Sequence, residues 1–203
     1  MTITLGAILL AGGRGSRVGG AAKPLFEIDG TTLLQRAVTA ATDASARPIT
    51  VVGPVLDPTL AVEWVQEDRP FGGPAAAVVA ALDTWTDADP EWTLLLACDL
   101  PGAGPAARLL RHSLPLLPAD TDGLCLADFS GRPQWLTGLY RTSALRAGAN
   151  ALPDRGVNAR VRALFDDVAI AVVAASSDLT HDIDTWEDLE VARLRAADDR
   201  SHS

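Results

Sequence analysis

The chain has 203 residues, 48% of them hydrophobic, and carries a formal net charge of −9. That length and apolar content suit one domain with a sizeable core, while the acidic balance excludes a broad nucleic-acid-binding surface, which needs clustered Lys and Arg. No apolar run approaches the roughly 20 residues that cross a bilayer, so a membrane-spanning helix is excluded as well.

In chain order, a first strand is expected at Thr4–Ala11, preceded by neither the basic n-region nor the cleavage site of a signal peptide, so a soluble, cytoplasmic protein is expected. After a glycine-rich loop come a helix at Thr32–Thr42, strands at Pro48–Gly53 and Val62–Gln66, and an Ala-rich helix at Gly73–Thr84. The strand at Trp92–Cys98 leads through a Pro- and Gly-containing turn to a helix at Ala106–Leu116. Strands at Leu124–Ala127 and Trp135–Tyr140, helices at Ser143–Asn150 and Asn158–Phe165, and a strand at Val168–Ala174 follow. The last helix, Trp186–Ala196, opens at Thr185 with Asp188 in capping-box spacing.

Short apolar runs alternating with helical segments predict an α/β fold: a single doubly wound, mostly parallel sheet with helices on both faces. Nothing marks a second domain, so residues 1–197 are read as one domain and residues 198–203 as a disordered tail. Cys98 and Cys125 each lie in an apolar run, which predicts buried free thiols rather than a disulfide or a metal site. His112, His181 and His202 have no zinc-like spacing and receive no role.

A doubly wound sheet binds its ligand beyond the carboxyl ends of its strands. After the first strand comes Leu10-Ala11-Gly12-Gly13-Arg14-Gly15-Ser16-Arg17-Val18-Gly19-Gly20-Ala21-Ala22-Lys23-Pro24-Leu25, where five glycines in nine residues let backbone N–H groups turn around an anion while Arg17 and Lys23 supply charge. A P-loop needs Lys directly after its final Gly, and here Ala21 and Ala22 intervene. The dinucleotide fingerprint also fails, because Gly13, Gly15 and Gly19 are spaced one residue too far.

The run LAGGRGSRVGGAAKPL resembles the LAGGxSxRMGxxK signature of the molybdenum cofactor guanylyltransferase (MobA-type) family of NTP transferases, which implies the Rossmann-like nucleotidyltransferase fold. The resemblance places Lys23 and Arg17 on the triphosphate, and Leu10, Ala11, Gly12, Gly13 and Gly15 around the nucleotide. This chain departs from the pattern at Val18, where Met is usual, and at Ala22, where Asp often stands. The loop Arg69-Pro70-Phe71-Gly72-Gly73-Pro74 corresponds to the family's segment against base and ribose, which adds Arg69, Gly72 and Gly73; a plain helix-start turn is the alternative.

Asp99 stands at the carboxyl end of its strand, followed by Leu100-Pro101-Gly102, well placed to hold Mg²⁺ beside phosphate oxygens. The run ACDLP resembles the family's metal motif and gives Asp99 as the first metal ligand and a nucleotide contact; an Asp capping the next turn is the alternative. In His181-Asp182-Ile183-Asp184-Thr185-Trp186-Glu187-Asp188-Leu189, Asp182 and Asp184 are two apart in an extended stretch and point the same way. That segment resembles the family's NINTPEEL element with acidic residues in place of asparagines. Both carboxylates are therefore acceptor-site candidates, with Asp184 a second metal contact or a helix cap. Gly131-Arg132-Pro133-Gln134 resembles a segment that faces the acceptor in relatives, so Arg132 and Gln134 are acceptor candidates, and Arg132 and Arg141 are candidate phosphate contacts or surface ion pairs.

The resemblance implies GMP transfer from GTP to molybdopterin with pyrophosphate leaving, Mg²⁺ as cofactor, and molybdoenzymes or cofactor-delivery proteins as further partners. Lys23, Arg17 and Asp99 are the expected catalytic set. A phosphate monoester is already anionic near neutral pH and needs little help from a base, matching a sequence without a Ser–His–Asp set, a Cys–His pair or HExxH. LAGG rather than LAAG leans by resemblance toward GTP. The alternatives are a cytidylyltransferase for the same cofactor, a transferase for a sugar phosphate or other phosphorylated metabolite, and a nucleotide-binding regulatory module without turnover.

Overall fold

A computed structural model describes residues 3–13, 16–85 and 89–201, with the backbone alone described at 16 and 199–201. Strand β1 is Leu5–Leu10, and a two-residue pair, β2 (Glu27–Ile28) and β3 (Thr31–Thr32), precedes helix α1, Leu33–Asp43. Then come β4 (Ile49–Val52), β5 (Glu63–Val65), α2 (Pro74–Thr84), β6 (Trp92–Ala97) and α3 (Ala103–Ser113). The second half supplies β7 (Gly123–Ala127), β8 (Pro133–Arg141), α4 (Thr142–Ala151), β9 (Ile170–Ala174), a single turn α5 (Ser177–Thr180) and α6 (Trp186–Ser201).

The main sheet has the order β5-β4-β1-β6-β8-β7-β9, and of these only β8 runs antiparallel to its neighbours. Both faces of the sheet centre are covered, which is why central strands such as β1 and β6 read as nearly unbroken apolar runs. Alternation along β1 sends Leu9 to one face, with Leu34, Ala41, Ala106 and Leu110 of α1 and α3, and Ile8 and Leu10 to the other, with Val78, Leu82 and Leu145 of α2 and α4. Leu94, Leu95 and Leu96 of β6 are fully enclosed, each contributing about 1.5–3 kcal/mol of burial. The fold class is the one expected. Cys98 and Cys125 are free and buried, and burial pushes the Cys98 thiol up and the Cys125 thiol to about 11, far from reactive-thiolate chemistry.

Local chemistry explains the element ends. Thr32 and Gln35 form a reciprocal capping box at α1, each side chain accepting from the other's N–H at 3.1 Å. The box expected at α6 is present too: Asp188 accepts from the Thr185 N–H at 2.7 Å, and the Asp188 N–H reaches Thr185 Oγ1 at 3.2 Å. Several details differ from the sequence reading. The helix expected at Asn158–Phe165 shrinks to a 3-10 turn, Val161–Phe165, because Asn158 adopts φ +61°. The expected helix from Ala106 begins three residues earlier, at Ala103, and gives way to a 3-10 turn at Leu114–Leu116 around Pro115. Helix α6 continues past Ala196 to Ser201, so residues 198–201 of the segment expected to be a disordered tail are helical, while 202 and 203 lie outside the described residues. Among the described residues, no helix is long and apolar enough to cross a membrane.

Candidate active site

Six strands of the main sheet point the same way, so the loops after β1, β4, β5, β6, β7 and β9 open onto one edge. Backbone bonds lock the first of these together: the Ala11 N–H donates to Val52 O and the Cys98 N–H to Leu10 O, each at 2.9 Å. Leu10 and Ala11 are buried side chains at the strand end, so they can offer a ligand only backbone, whereas Gly12 and Gly13 are exposed. Gly15 lies outside the described residues.

Pro24 is the second residue of the 3-10 turn Lys23–Leu25, and its burial anchors the neighbouring lysine. Lys23 Nζ lies 2.5 Å from Asp184 Oδ1 and 3.7 Å from Asp99 Oδ2. Arg17 bonds the other oxygen of Asp184. Residues from the first loop, the loop after β6 and the segment before α6 thus meet in one cluster. Burial pushes the Asp99 carboxyl up to about 6, reinforced by the charge of Asp182 and, more weakly, of Asp184, with Lys23 opposing. The hydrogen bond from Lys23, backed by the charges of Lys23 and Arg17, holds Asp184 below its ordinary value against the effect of burial.

The acidic segment is placed by three fixtures. The Ile183 N–H donates to Asp99 O at 2.9 Å, tying the two loops backbone to backbone. Ile183 is fully buried in a small core with Val18, Phe26, Ile28, Leu33 and Leu189, so the flanking Asp182 and Asp184 turn toward Asp99 as alternation predicts. Asp188 accepts from the N–H groups of Asp184 (3.0 Å) and Thr185 and from Thr185 Oγ1, and pairs with His181 at 3.2 Å. Burial opposes ionisation of Asp188, but these hydrogen bonds outweigh it and pull the carboxyl down to about 2. Asp188 is the positioning residue that the sequence reading passed over, although its capping-box spacing was a signal for it. His181 was likewise given no part.

Gly102 fixes the other side. A Cβ there would lie 2.2 Å from Asp178 O and 3.1 Å from Leu179 Cα, so only glycine lets the 176–184 segment seat against the loop after β6. Gly102→Ala is expected to cost about 1–3 kcal/mol, seen as a Tm lower by about 3–10 °C, with weaker nucleotide binding because the acidic segment is displaced. A thermal melt beside a binding titration checks both, and an unchanged pair of values would contradict this packing.

The other candidates divide. Gly73 sits at φ +96° immediately before Pro74, allowing the sharp entry into α2, and Gly72 O accepts from the Asn158 N–H at 2.6 Å. Arg69 is paired with Asp154 at 2.7 Å and not with the Lys23 cluster. In the β7–β8 turn, Asp128 gathers the N–H groups of Ser130 and Arg132 and holds Gln134 Nε2 at 3.0 Å. The exposed Arg132 and half-buried Gln134 thus stand at the same edge as the cluster. Arg141 is a correction. Because β8 runs backwards, Arg141 pairs in register with Trp92 at the far end of β6, roughly 20 Å from Asp99, where it bonds Glu91 and lies over the Trp92 ring. The surface ion pair, not a phosphate contact, is the reading that holds.

Hard carboxylate oxygens beside a lysine fit Mg²⁺, which takes one or two carboxylates and completes its shell with phosphate and water. Among the described residues no cage of three or more metal-ligating side chains exists, so such an ion would depend on substrate oxygens.

Comparison with known proteins identifies the family. Residues 7–172 match the model of the MobA-like NTP transferase domain. A Synechococcus elongatus protein described as a probable molybdenum cofactor guanylyltransferase is 35% identical over 146 residues, covering 66% of this chain and 71% of its own. The molybdenum cofactor guanylyltransferase of Bradyrhizobium sp. (strain ORS 278) is 29% identical across 98% of this chain and 97% of its own. In fold, the chain superposes on molybdopterin-guanine dinucleotide biosynthesis protein A from Archaeoglobus fulgidus with a TM-score of 0.65 at 19% identity, covering 95% and 98% of the two chains. The chain therefore belongs to the MobA-like NTP transferase family, which includes the molybdenum cofactor guanylyltransferases, and its chemistry is nucleotidyl transfer.

Proposed function

We propose that this chain transfers GMP from GTP to the phosphate of molybdopterin, releasing pyrophosphate, with Mg²⁺ held at Asp99. The observation that carries this reading is the 3.7 Å approach of Lys23 to Asp99 at the carboxyl edge of the sheet, between the glycine loop and the acidic segment. Lys23 and Arg17 neutralise the pyrophosphate as it leaves, and the N–H groups after Ala11 fix the triphosphate for in-line attack. The acceptor's phosphate oxygen bonds to the α-phosphorus while the bond from α-phosphorus to the bridging oxygen breaks. When bound, Mg²⁺ would supply charge stabilisation to the reacting phosphates. Asp99 and Asp184 would hold the ion, Gly72 and Gly73 would let the base approach the backbone, and Arg132, Gln134 and Asp182 would face the acceptor. Arg69 joins the nucleotide site only if it leaves Asp154.

The reaction belongs to the cytoplasm, with the dinucleotide product passed to molybdoenzymes or delivery proteins. Pyrophosphate release measured with each of the four NTPs, with and without molybdopterin and Mg²⁺, tests the reading. It predicts release only with GTP, acceptor and divalent ion together; a preference for CTP, or turnover with a sugar phosphate in place of molybdopterin, overturns it.

A further inference from the structure

Among the described residues, the two cations of the cluster share one partner. Asp184 accepts from Lys23 on one oxygen at 2.5 Å and from Arg17 on the other. Its carboxylate thus occupies the same donors that an anionic phosphate chain would need. Nor is it held there by chance, because its own N–H is tethered to Asp188, the adjacent Ile183 N–H to Asp99, and the Ile183 side chain to the core under the loop.

Charge sharpens the point. Among the described residues of the cluster, Asp99, Asp182 and Asp184 set against Lys23 and Arg17 leave one net negative charge, so against these groups a bare di- or triphosphate meets repulsion as well as engaged donors. A divalent cation reverses the sign.

We propose that Asp184 makes phosphate binding conditional on a divalent cation: its carboxylate holds Lys23 and Arg17 until it turns to an ion entering beside Asp99, and only then are both cations free for the phosphates. The inference rests on reading the cluster as a metal–nucleotide site. It makes Asp184 a coupling residue, whose two alternative partners link the two binding events thermodynamically.

Calorimetric titration of pyrophosphate and of GTP, each in EDTA and in Mg²⁺, compares wild type with Asp184→Asn. The amide keeps the shape of the side chain but loses most of its hold on the cations. In EDTA the variant should bind pyrophosphate about fivefold to tenfold tighter than wild type, and the factor by which Mg²⁺ improves binding should shrink at least as much. Asp184→Ser should reproduce the gain, with matched thermal melts showing that both variants fold. Metal-free pyrophosphate binding no tighter in either variant overturns the proposal. The GTP arm separates the two readings: wild type that takes Mg²⁺ and pyrophosphate but no GTP refutes the guanylyltransferase assignment, while the pyrophosphate arm still decides the role of Asp184.

Discussion

Lys23→Ala is expected to lower kcat/KM for pyrophosphate release by about 10²–10³-fold, the loss typical of removing one preorganised donor from a developing anion. The size follows from position. Only 17% of the Lys23 side chain is exposed, so its charge acts across a poorly solvated gap rather than through bulk water. Arg17, 69% exposed, is screened by solvent and should matter less, by about tenfold. Steady-state kinetics at several GTP concentrations check this ranking. A Lys23 variant with near-normal kcat/KM, or an Arg17 variant the more damaged of the two, would contradict the role given to the lysine.

Asp99→Asn is expected to abolish turnover to about the same degree, or more, because a neutral amide is a poor ligand for a hard divalent ion. Its effect on stability should have the opposite sign. Burial raises the Asp99 carboxyl from 3.8 to about 6, and a carboxyl raised on folding opposes folding once it ionises. That cost develops between about pH 4 and pH 6, is fully present above, and vanishes as pH falls and the group takes up its proton. Removing the charge should therefore raise the Tm of the metal-free protein by a few degrees at pH 8 and leave it little changed at pH 4. A variant that is inactive and also less stable at pH 8 would point to a structural Asp99. The two readouts together distinguish a functional carboxylate, tolerated at a cost, from a cap.

Much of this was legible in the sequence for a definite reason. The seven strands of the main sheet announce themselves because a sheet covered on both faces buries every side chain of its central strands, so apolar runs such as Leu94–Leu96 mark them. The two-residue strands β2 and β3 leave no such trace. Strand direction was not legible either, and that hid the true place of Arg141: without knowing that β8 runs backwards, its carboxyl end looks like a site edge. The helix expected at Asn158–Phe165 failed on one left-handed residue that periodicity does not see.

The site was readable as a set of loops but not as a network. Lys23, Asp99 and Asp184 each follow or precede a recognisable element, and the rule that ligands bind beyond strand ends brings them to one edge. That Asp184 takes both cations, 161 and 167 positions away in the chain, is tertiary information carried by the packing of Ile183 and the anchoring by Asp188. Gln134 similarly looked like a free acceptor contact, whereas part of its hydrogen-bonding capacity is committed to Asp128.

The most direct test is a crystal structure with Mn²⁺ and a non-hydrolysable GTP analogue, the ion located by its anomalous signal. The account predicts one ion bound by Asp99, with the triphosphate touching Lys23. A triphosphate bound away from Lys23, or an ion that avoids Asp99, would contradict it.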